Sequence, residues 1–216
     1  MKSQSNKYKT GKIRTVNRAS IIKAAEIEFA EFGYKGASIM NIAKRVDLPR
    51  SNVHYYFKNK LELYTKVLMD ILQLWNQAFN QITADDDPAD AIGAYIHAKV
   101  MYSKTNPLAS KIFANEIIHG APRISEYLNT DFREWLHSKS AVIQQWIDQG
   151  KMDPVDPLYL IILIWSATQH YADFSSQVTA VMDIPQLTDQ DYMDISNNLT
   201  HIILKGCGIR IQSPLA

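Results

Sequence analysis

The stretch from Ser38 to Phe57, "SIMNIAKRVDLPRSNVHYYF", leaves a chain few ways to fold. Ser38 is a good N-cap for a short helix whose apolar side is Ile39, Ile42, Ala43 and Val46. "VDLPR" then breaks the pattern, and Pro49 suits the first turn of a following helix, where a missing N–H costs little. That helix runs through "RSNVHYY", with Val53 and Phe57 four residues apart and turned inward. Ahead of both, a helical pattern opens at Asn17, carries Ala19, Ile22, Ala25, Ile27 and Phe29, and stops at Gly33. Three helices, the last two joined by a tight break, make a helix-turn-helix. The alternative reading is a compact helical corner with no ligand.

Downstream the helical signals continue. Asn59 as N-cap, with Glu62 three residues on, forms a capping box that opens a long helix with Leu61, Tyr64, Val67, Leu68, Ile71, Leu72 and Trp75 on its apolar side. Asp87-Pro88, Asn106-Pro107 and Asp156-Pro157 each pair a capping residue with Pro at the first helical position, and Ala121-Pro122 is a weaker version. Gly150 and Gly206 read as helix stops. No period-two alternation and no Asn-Gly or Asp-Gly hairpin appears. The expected fold is all-α, with about nine helices.

Charge divides the chain. Residues 1–60 hold 13 Lys and Arg against four acids; the remaining 10 basic and 18 acidic residues lie in 61–216. The N-terminal quarter is therefore +9 and the rest −8, although the whole chain is only +1. A basic quarter is the footprint of a polyanion partner, set against the alternative of a disordered tail with solvated lysines. Residues 1–14 are basic and poor in apolar groups, and read as a flexible arm.

In a helix-turn-helix, the N-terminal residues of the second helix meet base edges in the major groove. Arg50, Ser51 and Asn52 hold that position. Arg suits bidentate contact with guanine and Asn with adenine. His54, Tyr55 and Tyr56 can reach phosphates or thymine methyls, and Lys58 and Lys60 add charge beside the backbone. The double-stranded DNA reading explains why rings and cations crowd together here.

"IIKAAEIEFAEFGYKGASIMNIAKRVDLPRSNVHYYFKNKLELY" resembles the DNA-binding domain of the TetR family of transcriptional regulators, in the Ala-Ala and Phe…Phe-Gly of the first helix, the Ile-Ala of the second and "YYF..K..L" closing the third. The resemblance implies a homodimer on a palindromic operator, controlled by a small-molecule effector. It maps the family's DNA contacts onto Ser38, Met40, Arg50, Ser51, Asn52, His54, Tyr55, Tyr56 and Lys60. It also implies three parts: a basic arm (1–14), a helix-turn-helix domain (15–60) and an effector-binding and dimerisation domain (61–216). Asp47 stands where the family has a turn glycine, and Asp tolerates the left-handed geometry. Pro49 stands where the family has a Ser or Thr cap. In the C-terminal part, "IIHGAP", "SKSAVIQQWIDQGKMDPVDP" and "IWSATQHYADFSSQV" are similar to a pyrimidine-responsive branch of the family, whose effectors are uracil and thymine.

The residues of that part carry their own reading. Leu158 to Ala167 is apolar almost all round, then Thr168, Gln169, His170, Tyr171 and Asp173 bring polar groups within two turns. Ile161, Trp165, Thr168, Gln169 and Ala172 share one stripe. Trp165 offers a flat platform, and Gln169 offers a donor and an acceptor for the edge of a planar cyclic amide. Core packing with a satisfied Gln is the alternative. Trp75, Phe79, Asn115, Glu116 and Tyr171 are further effector-site candidates. A dimer interface is expected from 157–178 and 188–205, with Ile195, Leu199, Ile202 and Ile203 on the second helix.

Other classes find little support. There is no nucleophile elbow, no His-Glu-x-x-His and no glycine-rich phosphate loop, so no enzyme is expected. The six histidines form no i, i+4 pair, and the single Cys207 cannot make an intramolecular disulfide, so no metal or cofactor is expected. No apolar run approaches the roughly 18 residues of a membrane span, so no membrane partner is expected and a cytoplasmic location follows. The alternative to an effector-released repressor is a regulator of the same fold with another effector or an activating role.

Overall fold

The computed structural model describes residues 3–209. Every regular element among them is helical, in the order α1 (Ser3–Gly36), α2 (Ile39–Arg45), α3 (Arg50–Tyr56), α4 (Lys60–Gln77), α5 (Pro88–Thr105), α6 (Pro107–Ile118), α7 (Ser125–Asn129), α8 (Asp131–Asp148), α9 (Pro157–Asp173), α10 (Ser175–Met182) and α11 (Asp189–Gly206). Two more helices form than the nine expected, and α7 and α10, of five and eight residues, are among the short ones.

The chain forms two compact units. One comprises the chain up to Ile71 together with Lys111–Ile124; the other comprises Leu72–Ser110 and the chain from Ser125 on. The expected boundary at residue 60 is therefore displaced. The first turns of α4 and the end of α6 belong with the helix-turn-helix.

In the N-terminal unit, α1 is helical from Ser3, so the segment 3–14 continues the first helix where a flexible arm was expected. Lys and Arg are good helix formers, and extending an existing helix avoids the cost of nucleation. Gly33, at φ 64 and ψ 179, breaks the helical path as the sequence suggested, but a further turn follows it. The buried stripe of α1 is Ile21, Ala24, Ala25, Phe29 and Ala30; Ile27 lies outside it. Ile42, Val53, Phe57, Leu63 and Val67, further along the unit, are buried as well.

Ser38 caps α2, its hydroxyl accepting from Asn41 N–H at 3.1 Å. Asp47 adopts φ 51, the left-handed conformation that the turn demands. Pro49 is the N-cap of α3 rather than its first residue, and gives no side-chain cap. Asn59 accepts from Glu62 N–H at 2.9 Å, but Glu62 returns to Lys58 N–H at 2.8 Å, one residue short of the expected box.

Glu28 is wholly buried beneath this motif. It accepts from Asn41 Nδ2 at 2.9 Å, Arg45 Nε at 3.1 Å and Ser38 N–H at 3.3 Å. Burial alone would push its carboxyl up, but these donors outweigh burial and hold it below the ordinary carboxylate value. One carboxylate thus ties α1 to both ends of α2.

In the C-terminal unit, α5 packs against α9 and α11, and α8 against α9. The shared core contains Phe79, Tyr95, Ile96, Ile143, Trp146, Ile161, Ile164 and Leu204. Asp87 and Asp156 cap α5 and α9 as expected. Asn106 turns its amide to Thr105 Oγ1 instead of capping α6. Gly150 is left-handed just past α8, whereas α11 includes Gly206 and the left-handed glycine after it is Gly208. Among the described residues no helix is long and apolar enough to cross a membrane.

Candidate DNA-binding and effector sites

α3 divides cleanly. Val53 and Phe57 point into the core, while Arg50, Ser51, Asn52, His54 and Tyr55 are exposed and Tyr56 is half-buried. Tyr55 is 67% exposed, far more than a packing tyrosine needs. Arg50 Nε donates to His54 Nε2 at 3.2 Å, one turn on, so guanidinium and imidazole act as a unit. Arg14 lies 5.5 Å from the Tyr55 ring and Arg18 5.2 Å from the Phe57 ring. These two cations join the helix-turn-helix from α1, more than thirty residues away, a proximity that no local pattern reveals. Met40 is exposed on α2.

Two predicted contacts already have structural work. The Ser38 hydroxyl is engaged by its own helix. Lys60 is half-buried and donates to Ala37 O at 2.9 Å and Lys35 O at 3.3 Å, with its ammonium 4.7 Å from the Tyr34 ring centre.

The candidate effector site lies in the C-terminal unit and centres on a residue that sequence reasoning passed over. Lys99, on α5, is 2% exposed. Its ammonium donates to Gln169 Oε1 at 3.3 Å and lies 4.3 Å from the Trp75 ring centre. No ion pair to it forms among the described residues. Burial pulls its pKa down to about 7, with Asp173 pulling the other way. Asp173 is itself pushed up by burial and receives a hydrogen bond from Ser110. A lysine within an otherwise apolar and polar-uncharged helix face gives no periodic signal, which is why it was missed.

The other candidates are sorted by their partners. Trp165 Nε1 donates to Tyr95 Oη at 2.7 Å, and its ring is stacked with Trp135 at 6.5 Å and tilted against Phe132 at 5.6 Å. Phe79 is fully buried and stacks on Tyr95 at 4.2 Å, as core rather than as a wall open to a ligand. Thr168 is also fully buried; its hydroxyl returns to Ile164 O and its carbonyl accepts from Ser103. Tyr171 is half-buried against the core. Asn115 and Glu116 belong to the N-terminal unit, apart from the unit that holds Lys99 and Gln169. Glu116 spends its carboxylate on Arg123.

A basic helix-turn-helix with an open reading face, followed by a helical unit with a polar cluster in its interior, is the organisation of a DNA-binding regulator. Residues 21–67 match the model described as "Bacterial regulatory proteins, tetR family", and residues 68–210 match "YcdC-like protein, C-terminal region". The chain belongs to the TetR family of transcriptional regulators. It is 35% identical over 192 residues to the HTH-type transcriptional regulator RutR of Escherichia coli K12, covering 89% of this chain and 91% of that one. It is 26% identical over 138 residues to the uncharacterized regulator YhgD of Bacillus subtilis, covering 63% and 72%. Among solved structures, the putative regulator SCO4942 of Streptomyces coelicolor has the same fold, with TM-score 0.69 at 22% identity over 86% of this chain and 97% of that one. AibR in complex with isovaleryl coenzyme A and operator DNA gives TM-score 0.63 at 13% identity, over 86% and 96%.

Proposed function

We propose that this DNA-binding regulator is a homodimeric repressor, released from a palindromic operator by a small planar heterocycle with a cyclic-amide edge, uracil or thymine first among them. The observation that carries the effector reading is the Lys99–Gln169 pair on the face of Trp75. An ammonium beside an amide oxygen is a donor next to an acceptor. A ring carbonyl can accept a hydrogen bond from the lysine ammonium, while the adjacent ring N–H donates to Gln169 Oε1. The indole face accepts a flat ring. Similarity to RutR over nearly the whole chain, and to the pyrimidine-responsive branch, supports the same choice.

On DNA, Arg50 and Asn52 read bases at the start of α3, and His54, Tyr55, Arg14 and Arg18 line the backbone. The dimer is supported by apolar surface that one chain leaves open. Tyr159 is 70% exposed and Leu163 53% on α9, and Phe174 51% just past its end, with Val181 on α10 and Ile202 on α11 also open. Ile195 and Ile203, expected at that interface, are buried in their own chain.

The test is operator binding with and without uracil or thymine, alongside thermal melting. Either pyrimidine should raise the melting temperature and release DNA. If neither does so at millimolar concentration, the regulator has another effector. If operator occupancy raises transcription, its role is activating.

A further inference from the structure

The N-terminal unit contains a cluster that the DNA-reading face does not use. Glu116, near the end of α6, is buried, with its side chain 1% exposed. It accepts from Arg123 Nη1 at 3.0 Å and from the Arg123 backbone N–H at 2.8 Å. The Arg123 guanidinium lies 3.7 Å from the Tyr34 ring centre and 5.6 Å from that of Tyr64. Lys60 approaches the same Tyr34 ring, at 4.7 Å. Tyr34 and Tyr64 lie 5.0 Å apart, and Tyr64 meets Phe29 edge-on at 4.7 Å. The phenol of Tyr64 is pushed up, first by burial and then by the Glu116 carboxylate, to which it is also hydrogen-bonded.

We propose that Arg123 is a positioning residue for operator recognition: with Glu116 it locks the end of α6 onto the corner formed by the end of α1 and the start of α4. Three observations converge on this. First, the pair is a poor way to gain stability alone, since a buried ion pair gains little over well-packed apolar groups; its usual value is geometric registry. Second, the loop is held under strain to make it. Ala121 adopts φ 52, in the left-handed region, next to Gly120 at φ 84, and its N–H is tied to Glu116 O at 2.8 Å. That turn delivers the Arg123 N–H to the carboxylate. Third, the cluster touches Lys60, the first residue of α4, only four residues beyond the end of the recognition helix. The unit that carries α3 joins the rest of the chain at three points: after Ile71, before Lys111 and after Ile124. Within this unit, Arg123 and Glu116 tie α6 and its loop to the start of α4.

This rests on the reading of a dimer on a palindrome. Its signature is discrimination between half-site spacings, because a fixed recognition unit fits one separation of about one DNA turn. Full-length wild type, Arg123→Ala, Arg123→Lys and Glu116→Gln are titrated against the natural operator and against operators lengthened by one and two base pairs at the centre. Wild type should discriminate strongly. Arg123→Ala and Glu116→Gln should lose about tenfold of that ratio. Arg123→Lys keeps charge but not the flat fork, so it should restore the ratio only in part. It also answers the question if Arg123→Ala does not fold. Loss of stability alone would weaken all operators together and leave the ratio unchanged. A wild-type ratio in Arg123→Lys and Glu116→Gln overturns the role of Arg123. A wild type indifferent to spacing overturns the palindrome reading and this inference with it.

Discussion

The Lys99 ammonium lies 4.3 Å from the centre of the Trp75 ring, so an interior cation on α5 is met by an aromatic face on α4. A ring face offsets part of the cost of burying charge without consuming the donors of the ammonium. One of those donors is directed at Gln169. In the proposed effector reading, a ligand carbonyl meets this ammonium, and α4 carries the ring beside it.

Lys99→Met should separate stability from response. The substitution removes a buried cation and keeps an apolar stem of similar length, so the melting temperature should hold or rise. Uracil or thymine should no longer shift melting or release operator DNA. Gln169→Leu should have the same effect on response, costing about 1–3 kcal/mol of effector affinity through an unpaired ring N–H. A Met variant that still responds normally would remove Lys99 from the site.

Stability and effector affinity should depend on pH in opposite directions. Burial takes Lys99 from its ordinary 10.5 down to about 7. Below about 7 the amine is charged in both the folded and the unfolded chain, and folding carries the full cost of burying it. Between these two values the unfolded chain binds more protons, so this contribution rises with pH and then levels off. Effector binding uses the ammonium, so affinity should fall about tenfold per pH unit above 7. Titrations from roughly pH 6 to 9 on wild type and Lys99→Met compare the two, with the Met variant expected to lack the stability rise.

Arg50→Ala should relax base preference at one position in each half-site, at about 1–3 kcal/mol per contact. The motive is an exposed guanidinium in the first turn of α3, steadied by His54. Footprints with an unchanged base preference would reassign Arg50 to the phosphates.

Glu28→Ala should destabilise the N-terminal unit by about 3 kcal/mol, leaving Asn41 and Ser38 N–H without their acceptor. Because the folded carboxyl lies below its ordinary value of 4.5, its contribution is present above that value and lost as pH falls through the folded one. Acid melting curves of wild type should therefore steepen below about pH 4.5, and those of Glu28→Ala should not.

Local chemistry determined much of this protein from sequence alone. Helix starts at Ser38, Asn59, Asp87 and Asp156, the left-handed turn at Asp47 and the inward pair Val53 and Phe57 all depend on groups a few residues apart. A pattern of that range is visible in the string of residues. The stripe of Trp165, Thr168 and Gln169 was legible for the same reason, since one helix face repeats on a short period. What tertiary structure decided are meetings between distant segments. Lys99 joins Gln169 from 70 residues away, Arg14 reaches Tyr55, and Arg123 crosses from the loop after α6 to Tyr34. It also put Glu116 in the N-terminal unit, apart from the unit of Lys99 and Gln169, and turned Ile195 and Ile203 inward, because which face of a helix is covered depends on what packs there. A single lysine on an apolar helix looks like a solvated charge in sequence; only the fold, by closing α4 and α9 over it, makes it a buried donor.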